Sequence, residues 1–305
     1  MVKIEIRKFT KNDLQKTGEF YQIVTSSDNV VLWWVGEEDN WSNVFIAVEE
    51  ERIIAKGQVH IVCTIPLGSP KEHKHYIYFN LKTLPEREAD YHVYELLYER
   101  LLNRAYELKE TLLNAYQTMM GIGNQSTEEQ NNNYFITKGF VYRKSLYTMR
   151  SNLSEMIEHP VLAAPYRCMQ WKMASEDNVN EYLNVDREIW PEAPIGHKRL
   201  MDNQKNSAWT AFVVREDATL IGSVMAWMDE DGEGIIEDVF VRESWRKQGI
   251  AKHLLSQALS YLKENGSTFA ELQVETANKS ALSLYNSVGF KEVSEEVRYD
   301  RELYQ

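Results

Sequence analysis

The sequence predicts an α/β (α+β) protein built from two domains that follow one plan. The chain has 305 residues, a length at which one core usually gives way to two domains of about 150 residues each. Its composition, 43% hydrophobic and 26% charged, is typical of a globular protein rather than a disordered or fibrous one. Strand and helix patterns also recur in the same order in the two halves, which supports the two-domain prediction.

In the first half we expect the order strand, helix, strands, helix, strand, helix, strands. Alternating or continuous apolar segments predict the strands, and apolar residues at helical spacing predict the helices. Residues 10–13 have the composition of a helix start. The predicted strands are 4–9, 44–48, 53–62, 75–80, 112–118 and 145–150, and the predicted helices are 14–24, 91–108 and a short one ending near Lys138.

The second half repeats this order. A hairpin turn at Asp231-Gly232 separates two of its strands, and Pro160 and Pro165 mark the linker that precedes it. The predicted strands are 166–172, 209–214, 220–228, 234–241, 269–274 and one near Val297, and the predicted helices are 179–188, 249–262 and 280–288. We therefore predict a first domain over residues 1–152, a linker over 153–165 and a second domain over 166–305.

Charge and cysteine content exclude several classes of protein. A formal net charge of -12 disfavours binding to nucleic acid or to anionic membranes. The two cysteines, Cys63 and Cys168, lie outside any metal-type spacing, so neither a disulfide framework nor a zinc site is expected. No apolar run reaches the length of a membrane span, and the chain is expected to be cytoplasmic. The sequence leaves the oligomeric state open.

The most informative stretch runs from Ile235 to Ala251 and reads as a strand, a short loop and a helix start. Backbone N–H groups at a helix N-terminus point towards one spot and bind anions. Gly249 allows close approach of a ligand, the small Ala251 avoids a clash, and Arg246 adds a positive charge that suits phosphate. The pattern is that of a phosphate-binding loop.

This loop resembles the pyrophosphate loop of the GNAT superfamily of acyltransferases, Arg/Gln-x-x-Gly-x-Gly/Ala, because it reads Arg246-x-x-Gly249-x-Ala251. A second signature follows, with Asn278 before a helix, Tyr285 inside it and a Gly-Phe pair after it. The resemblance covers about residues 166–303. It implies a tandem member of the superfamily, in which each GNAT-like domain is a mixed, mostly antiparallel twisted sheet flanked by helices.

The resemblance also implies acetyl-CoA as co-substrate, without a metal. Tyr285 would protonate the departing thiolate, and the backbone of the strand would stabilise the oxyanion on the thioester. Asn278 would hold the start of its helix and the pantetheine arm. The residues expected to bind acetyl-CoA are Val239, Phe240, Val241, Arg246, Lys247, Gln248, Gly249, Ile250, Ala251 and Asn278.

Glu237 is the first candidate for the base that deprotonates the amine, directly or through a water. Strand alternation predicts that Glu237, Val239 and Val241 face one side, with Asp238 and Phe240 on the other. Asp238 is the second candidate base.

The first half lacks these features and is expected to be non-catalytic. When its second helix is aligned with that of the second half, residues 88–93 take the place of the loop. Glu88 replaces Arg246, Tyr91 replaces Gly249, and Phe135 replaces Tyr285. An acidic side chain at this place repels phosphate.

The expected function is transfer of an acetyl group from acetyl-CoA to a primary amine, on a small molecule or a peptide, by direct attack. The segment around Trp190 is a candidate substrate loop, where Asp186 and Glu192 are candidates for contact with a cationic acceptor, unless they are merely solvated. Two alternatives remain: an acyl-CoA-binding regulatory or scaffold protein without turnover, and an acyltransferase that uses a longer acyl donor. The acceptor and the preferred acyl chain are not identified.

Overall fold

The computed structural model describes residues 3–27, 30–191 and 194–304. The helices are α1 (Leu14–Ser27), α2 (Tyr91–Lys109), α3 (Glu129–Thr137), α4 (Glu176–Ile189), α5 (Gly196–Asn203), α6 (Ile250–Glu264) and α7 (Lys279–Asn286). The strands are β1 (Glu5–Lys8), β2 (Val44–Glu49), β3 (Arg52–Cys63), β4 (His75–Thr83), β5 (Thr118–Gln125), β6 (Val141–Asn152), β7 (Arg167–Trp171), β8 (Ser207–Glu216), β9 (Thr219–Met228), β10 (Gly234–Val241), β11 (Phe269–Glu275) and β12 (Lys291–Glu302).

The chain forms two compact units, the first from Met1–Ser145 with Ser294–Gln305 and the second from Leu146–Val293. The sheet of the first unit has the strand order β1-β2-β3-β4-β5-β12. Its β4 and β5 are parallel over the pairs His75↔Thr118 to Phe79↔Ile122, and the other neighbours are antiparallel. Leu97 and Leu101 of α2 are fully buried in its core.

The sheet of the second unit has the matching order β7-β8-β9-β10-β11-β6. Here too a single pair is parallel, β10 with β11. Leu254 and Leu255 of α6 are buried in a core cluster on one face of the sheet. Tyr182 of α4 and Leu200 of α5 are buried in a second cluster with the other face. The second unit is therefore a three-layer structure with helices on both sides of the sheet.

Each unit takes its sixth strand from the other half of the sequence. Residues 146–152 of β6 pair with β11 in the second unit. Residues 296–302 of β12 pair with β5 in the first unit. The two compact units therefore do not correspond to the two halves of the chain. The linker at residues 153–165 stays a prediction from the sequence.

The predicted helices are all present, but one strand was misplaced and one helix was not predicted. The strand predicted at 112–118 lies instead at β5, Thr118–Gln125. Gly121 and Gly123 obscure its apolar pattern, and a Cβ at Gly121 would come within 2.5 Å of the Tyr78 ring. Helix α5 was missed because it is short and mostly polar, with only Leu200 buried.

None of the helices in the described ranges is long and apolar enough to cross a membrane. Among the same residues, no group of three or more His, Cys, Asp or Glu side chains is arranged to hold a metal ion. Both cysteines are free and half-buried, and burial raises the pKa of the Cys168 thiol to about 11.

Candidate active site

A cavity opens in the second unit where two parallel strands separate. β10 and β11 are paired only at Gly234↔Ala270 and Ile235↔Glu271. Beyond these pairs lies a cavity of about 700 Å³, lined by β10, β11, β6, α4, α5 and α7. Its volume is within the range of small-molecule binding sites.

A β-bulge interrupts β10 at this cavity. Glu237 pairs with Met225 of β9 and Phe240 pairs with Ser223. Two residues, Asp238 and Val239, therefore lie opposite a single residue of β9. Asp238 has a φ of 53°, a left-handed conformation that Asp adopts more readily than most residues.

The bulge corrects the predicted alternation of faces. Cross-strand partners lie on the same face of a sheet, so Glu237 and Phe240 share a face because their partners on β9 are two residues apart. Phe240 is buried in the cluster with α4 and α5, whereas Val241 is buried in the cluster with α6. The prediction that Val241 faces the same side as Glu237, with Phe240 opposite, was wrong because the bulge adds one residue.

Glu237 lines the cavity and is held by two residues of α5. Its Oε1 forms an ion pair with Arg199, and its Oε2 accepts a hydrogen bond from Asn203 Nδ2 at 2.8 Å. Its side chain is 27% exposed. Neither partner was predicted, since nothing in the sequence distinguishes these two polar residues of a short helix.

Asp238 is half-buried and accepts hydrogen bonds from two aromatic side chains of α4 and the residue after it. Its Oδ2 accepts from the Tyr182 hydroxyl, and its Oδ1 from Trp190 Nε1 at 2.9 Å. Burial raises the pKa of Asp238, the two hydrogen bonds oppose this shift, and the nearby charge of Glu237 adds to it.

Asp186 also lines the cavity and is fully buried. Its Oδ2 accepts a hydrogen bond from the backbone N–H of Ile195 at 2.9 Å, while its Oδ1 has no partner among the described residues. Burial, and next the charge of Asp238, raise the pKa of Asp186 to about 6. The other acidic candidate of this region, Glu192, lies outside the described residues.

Tyr285 and Asn278 reach the cavity from α7 and its start. Tyr285 is 8% exposed, and burial, followed by the charge of Asp238, raises the pKa of its hydroxyl to about 12. The hydroxyl is therefore protonated at neutral pH. Asn278 caps α7, because its side chain accepts a hydrogen bond from the backbone N–H of Ala281 at 3.1 Å.

The predicted phosphate loop connects β10 to α6. Arg246 is exposed, and its Nε donates to the Val241 carbonyl at 3.0 Å. Gly249 is the N-cap of α6, with a φ of 80°, and it has no side chain with which to cap the first turn. The first N–H groups of a helix have no partner within it, so such a turn is suited to an anion.

The other residues of the predicted phosphate loop hold the turn that leads into α6. Lys247 has a φ of 61°, and the Gln248 side chain accepts a hydrogen bond from the Tyr166 hydroxyl at 2.7 Å. Ile250 is buried beneath the loop, and Ala251 is half-buried. The residues of the loop, Phe240 and Val241 are not among those that line the cavity, which is lined by Glu237, Asp238, Val239, Asn278 and Tyr285.

In the first unit, a buried ion pair lies where the parallel strands β4 and β5 separate. β4 and β5 pair as far as Phe79↔Ile122. Beyond that point Lys82 donates to Asn124 Oδ1 at 2.7 Å and forms an ion pair with Glu128. Lys82 is 2% exposed, so its buried side chain occupies the space between the two strands.

The loop and the tyrosine position of the first unit also differ from those of the second. Three residues, 88–90, separate a 3-10 turn from α2, whereas four residues, 246–249, separate the equivalent turn from α6. Phe135 is buried against Phe140 with ring centroids 5.3 Å apart, as Tyr285 is against Phe290 at 6.0 Å. Phe135 has no hydroxyl to donate.

Comparison with known proteins finds a family model that matches most of the second unit. Residues 171–290 match the model of the Acetyltransferase (GNAT) family. An uncharacterised N-acetyltransferase of Bacillus subtilis (strain 168) is 28% identical over 118 residues, which are 38% of this chain and 46% of that protein. The chain thus spans less than half the length of this relative.

Two solved structures share the fold of the whole chain. A GCN5-related N-acetyltransferase from Sphaerobacter thermophilus superposes with a TM-score of 0.74 at 15% identity, covering 99% of this chain and 96% of that one. A tandem GNAT protein from the clavulanic acid biosynthesis pathway gives a TM-score of 0.71 at 11% identity, covering 99% of both chains. Residues 171–290 therefore resemble the GNAT family of acetyltransferases, and the two solved structures show that the whole chain shares a two-domain fold with such proteins.

Proposed function

We propose that the second unit is an N-acetyltransferase that moves an acetyl group from acetyl-CoA to a primary amine by direct attack. The observation that supports this most strongly is the cavity at the bulge of β10, which brings Glu237, Asp238 and Tyr285 together. The same strand leads, through residues 242–249, to the start of α6, which is suited to phosphate.

Acetyl-CoA would be bound mainly through its pyrophosphate. The backbone N–H groups of residues 248–251 and the guanidinium of Arg246 are the proposed donors. The positive end of the α6 dipole adds to the attraction. Asn278, at the start of α7, would contact the pantetheine arm.

The bulge would supply the oxyanion donor. In a bulge the extra residue is left out of the hydrogen-bond ladder, and Asp238 and Val239 have no individual partners on β9. A backbone N–H that is fixed and not used by the sheet can stabilise the charge that develops on the thioester oxygen.

Glu237 is the proposed base, and Asp238 is the second candidate for the same role. For Glu237 to accept a proton from the amine at Oε1, its contact with Arg199 must open, because that contact occupies this oxygen. Burial raises the pKa of Asp238, which makes its carboxylate a stronger base than that of an ordinary aspartate. Variants Glu237→Gln and Asp238→Asn would distinguish the two.

Tyr285 would donate its proton to the sulfur as the carbon–sulfur bond breaks. A pKa of about 12 keeps the proton available but makes its release difficult. Since the charge of Asp238 is one cause of this high pKa, uptake of a proton by Asp238 would make Tyr285 a stronger acid. The two groups are therefore suited to act in sequence.

The first test is calorimetric titration of acetyl-CoA into the full chain. We expect one acetyl-CoA site per chain. In the first unit a second site is disfavoured by Glu88 and by the buried Lys82 side chain, which lies where β4 and β5 separate. Arg246→Glu should abolish binding, whereas Lys263→Glu, an exposed lysine at the other end of α6, should not. Tyr285→Phe should keep the site but lower the rate of transfer about 10²- to 10⁴-fold.

Other outcomes would separate the alternatives. Two sites would contradict the interpretation of the first half, and no binding would rule out the acetyl-CoA assignment. Binding without transfer to any amine would favour a regulatory or scaffold role. Tighter binding of longer acyl-CoA molecules would favour a different acyl donor.

A further inference from the structure

The cavity of the second unit is strongly acidic. Among the described residues that line it, the charged ones are five carboxylates and one guanidinium: Asp186, Glu237, Asp238, Glu271, Glu275 and Arg199. Low-dielectric walls concentrate the field of such a cleft. The field favours a ligand that carries more than one positive charge.

Two of these carboxylates already have cationic partners. Glu237 pairs with Arg199, and Glu271 accepts from Arg150 Nε at 2.6 Å. The negative charges of Glu237 and Glu271 are therefore balanced by arginine side chains of the protein and do not require a cationic ligand.

Asp186 and Asp238 are different, because their hydrogen-bond donors are neutral. Asp238 accepts from the Tyr182 hydroxyl and the Trp190 indole N–H. The Oδ2 of Asp186 accepts from the backbone N–H of Ile195. The negative charge of Asp238 raises the pKa of Asp186, because a second carboxylate nearby makes its ionisation more costly.

One oxygen of Asp186 is buried without a hydrogen-bond partner among the described residues. Asp186 is 0% exposed, it lines the cavity, and its Oδ1 has no hydrogen-bond partner within the described part of the chain. A buried carboxylate oxygen without a donor is costly. An ammonium group in the cavity would supply both the missing hydrogen bond and the missing positive charge.

Aromatic side chains in the cavity also favour a cationic ligand. Trp190 and Trp227 both line the cavity. Tryptophan is the aromatic residue that attracts cations most strongly.

We propose that the acceptor is a small diamine or polyamine, whose second ammonium group is bound by Asp186 while the first is presented to the acetyl group near Glu237 and Tyr285. This inference rests on the proposed acetyltransferase function and names the substrate class of that site. Asp186 is thus a specificity residue that contacts the acceptor away from the reacting nitrogen.

The test compares cadaverine with aminopentanol, two primary amines of equal length that differ in a terminal ammonium or hydroxyl group. Their binding to the full chain is measured by calorimetry at low ionic strength, with coenzyme A present. Cadaverine should bind at least about tenfold more tightly, since a charge-assisted hydrogen bond is stronger than a neutral one. Asp186→Asn should remove this preference.

The matched control is Asp202→Asn, which makes the same change on an exposed residue of α5 outside the cavity and should keep the preference. Acetyl-CoA binding checks that each variant is folded. If Asp186→Asn fails that check, Asp238→Asn, which removes the neighbouring carboxylate, takes its place and should weaken the preference.

Equal affinity for the two amines, binding of neither, or a preference unchanged in the folded variants would overturn this inference. In each case, intact acetyl-CoA binding and transfer to any other amine would leave the proposed function standing. Loss of acetyl-CoA binding by the wild-type chain would instead contradict the proposed function itself.

Discussion

The two oxygens of Asp186 have opposite effects on the stability of the folded protein. Its Oδ2 accepts the Ile195 N–H just before α5, which helps to hold the start of that helix. Its second oxygen is buried without a partner among the described residues. A residue kept in this state costs stability, which is common where a site must be ready for a ligand.

The pH dependence of stability follows from the pKa of Asp186, which rises from an ordinary 3.8 to about 6. Between these values the folded protein holds a proton that the unfolded chain releases, so this residue lowers stability as pH rises through that window. Asp186→Asn cannot ionise. We expect it to be more stable than the wild type by about 2 to 3 kcal/mol at pH 8, with no difference near pH 3.

Thermal unfolding of both proteins across this pH range measures the effect. Asp202→Asn, which changes an exposed residue of α5, should show no gain in stability at high pH. A lower melting temperature of Asp186→Asn at pH 8 would mean that the carboxylate stabilises the folded protein in the absence of a ligand.

At the scale of elements, the site depends on how β10 ends and α6 begins. The bulge places Asp238 and Val239 at the opening between β10 and β11. The turn before α6 requires a left-handed residue, which is Gly249 with a φ of 80°. Helix α5 then contributes Arg199 and Asn203 to the same cavity.

Gly249→Ala tests whether backbone conformation, rather than space, selects glycine in this turn. A Cβ at Gly249 would meet no atom within 4 Å, so any cost comes from the left-handed φ. We expect a loss of stability of about 1 to 2 kcal/mol and weaker acetyl-CoA binding, measured by chemical unfolding and calorimetry.

Gly18→Ala is the matched control, because a Cβ at Gly18 also meets nothing within 4 Å. This glycine lies inside α1, where alanine is the better helix former by about 0.5 to 1 kcal/mol. The same substitution should therefore stabilise at residue 18 and destabilise at residue 249. Equal effects at both positions would contradict the conformational explanation.

At the scale of the whole molecule, the end of the chain belongs to the first unit. The paired residues of β12 complete that unit beside β5. Leu303 is 2% exposed in its core, and its N–H donates to the Thr118 carbonyl at 2.9 Å. Residues almost 200 positions apart thus depend on each other.

Leu303→Ala should destabilise the first unit by about 2 to 5 kcal/mol, the usual cost of removing a buried leucine side chain. Hydrogen exchange should then show faster exchange in β5, whereas the amides of β8 and β9 in the second unit should change little. Tyr304→Ala alters the adjacent residue, which is 63% exposed, and should stay within about 0.5 kcal/mol of the wild type. Faster exchange confined to the second unit would contradict this assignment.

The elements and the family could be predicted from the sequence because their signals are local. Helical spacing identified α2 and α6, the Asp231-Gly232 turn identified the hairpin before β10, and the two GNAT signatures identified the candidate site. In each case the information lies within a few residues of the chain, where periodicity and turn chemistry act.

Tertiary structure alone decided the bulge at Asp238, the contact of α5 with Glu237 and the strand that completes each unit. Each depends on partners distant in sequence: β9 sets the register of β10, Arg199 reaches Glu237 across 38 residues, and β12 returns to β5. Alternation predicted the wrong face for Val241 because it assumes an uninterrupted strand. Sequence alone thus determined the resemblance to a family and the candidate residues. Long-range packing determined which of these residues share one cavity, and which carboxylate oxygen there has no partner among the described residues.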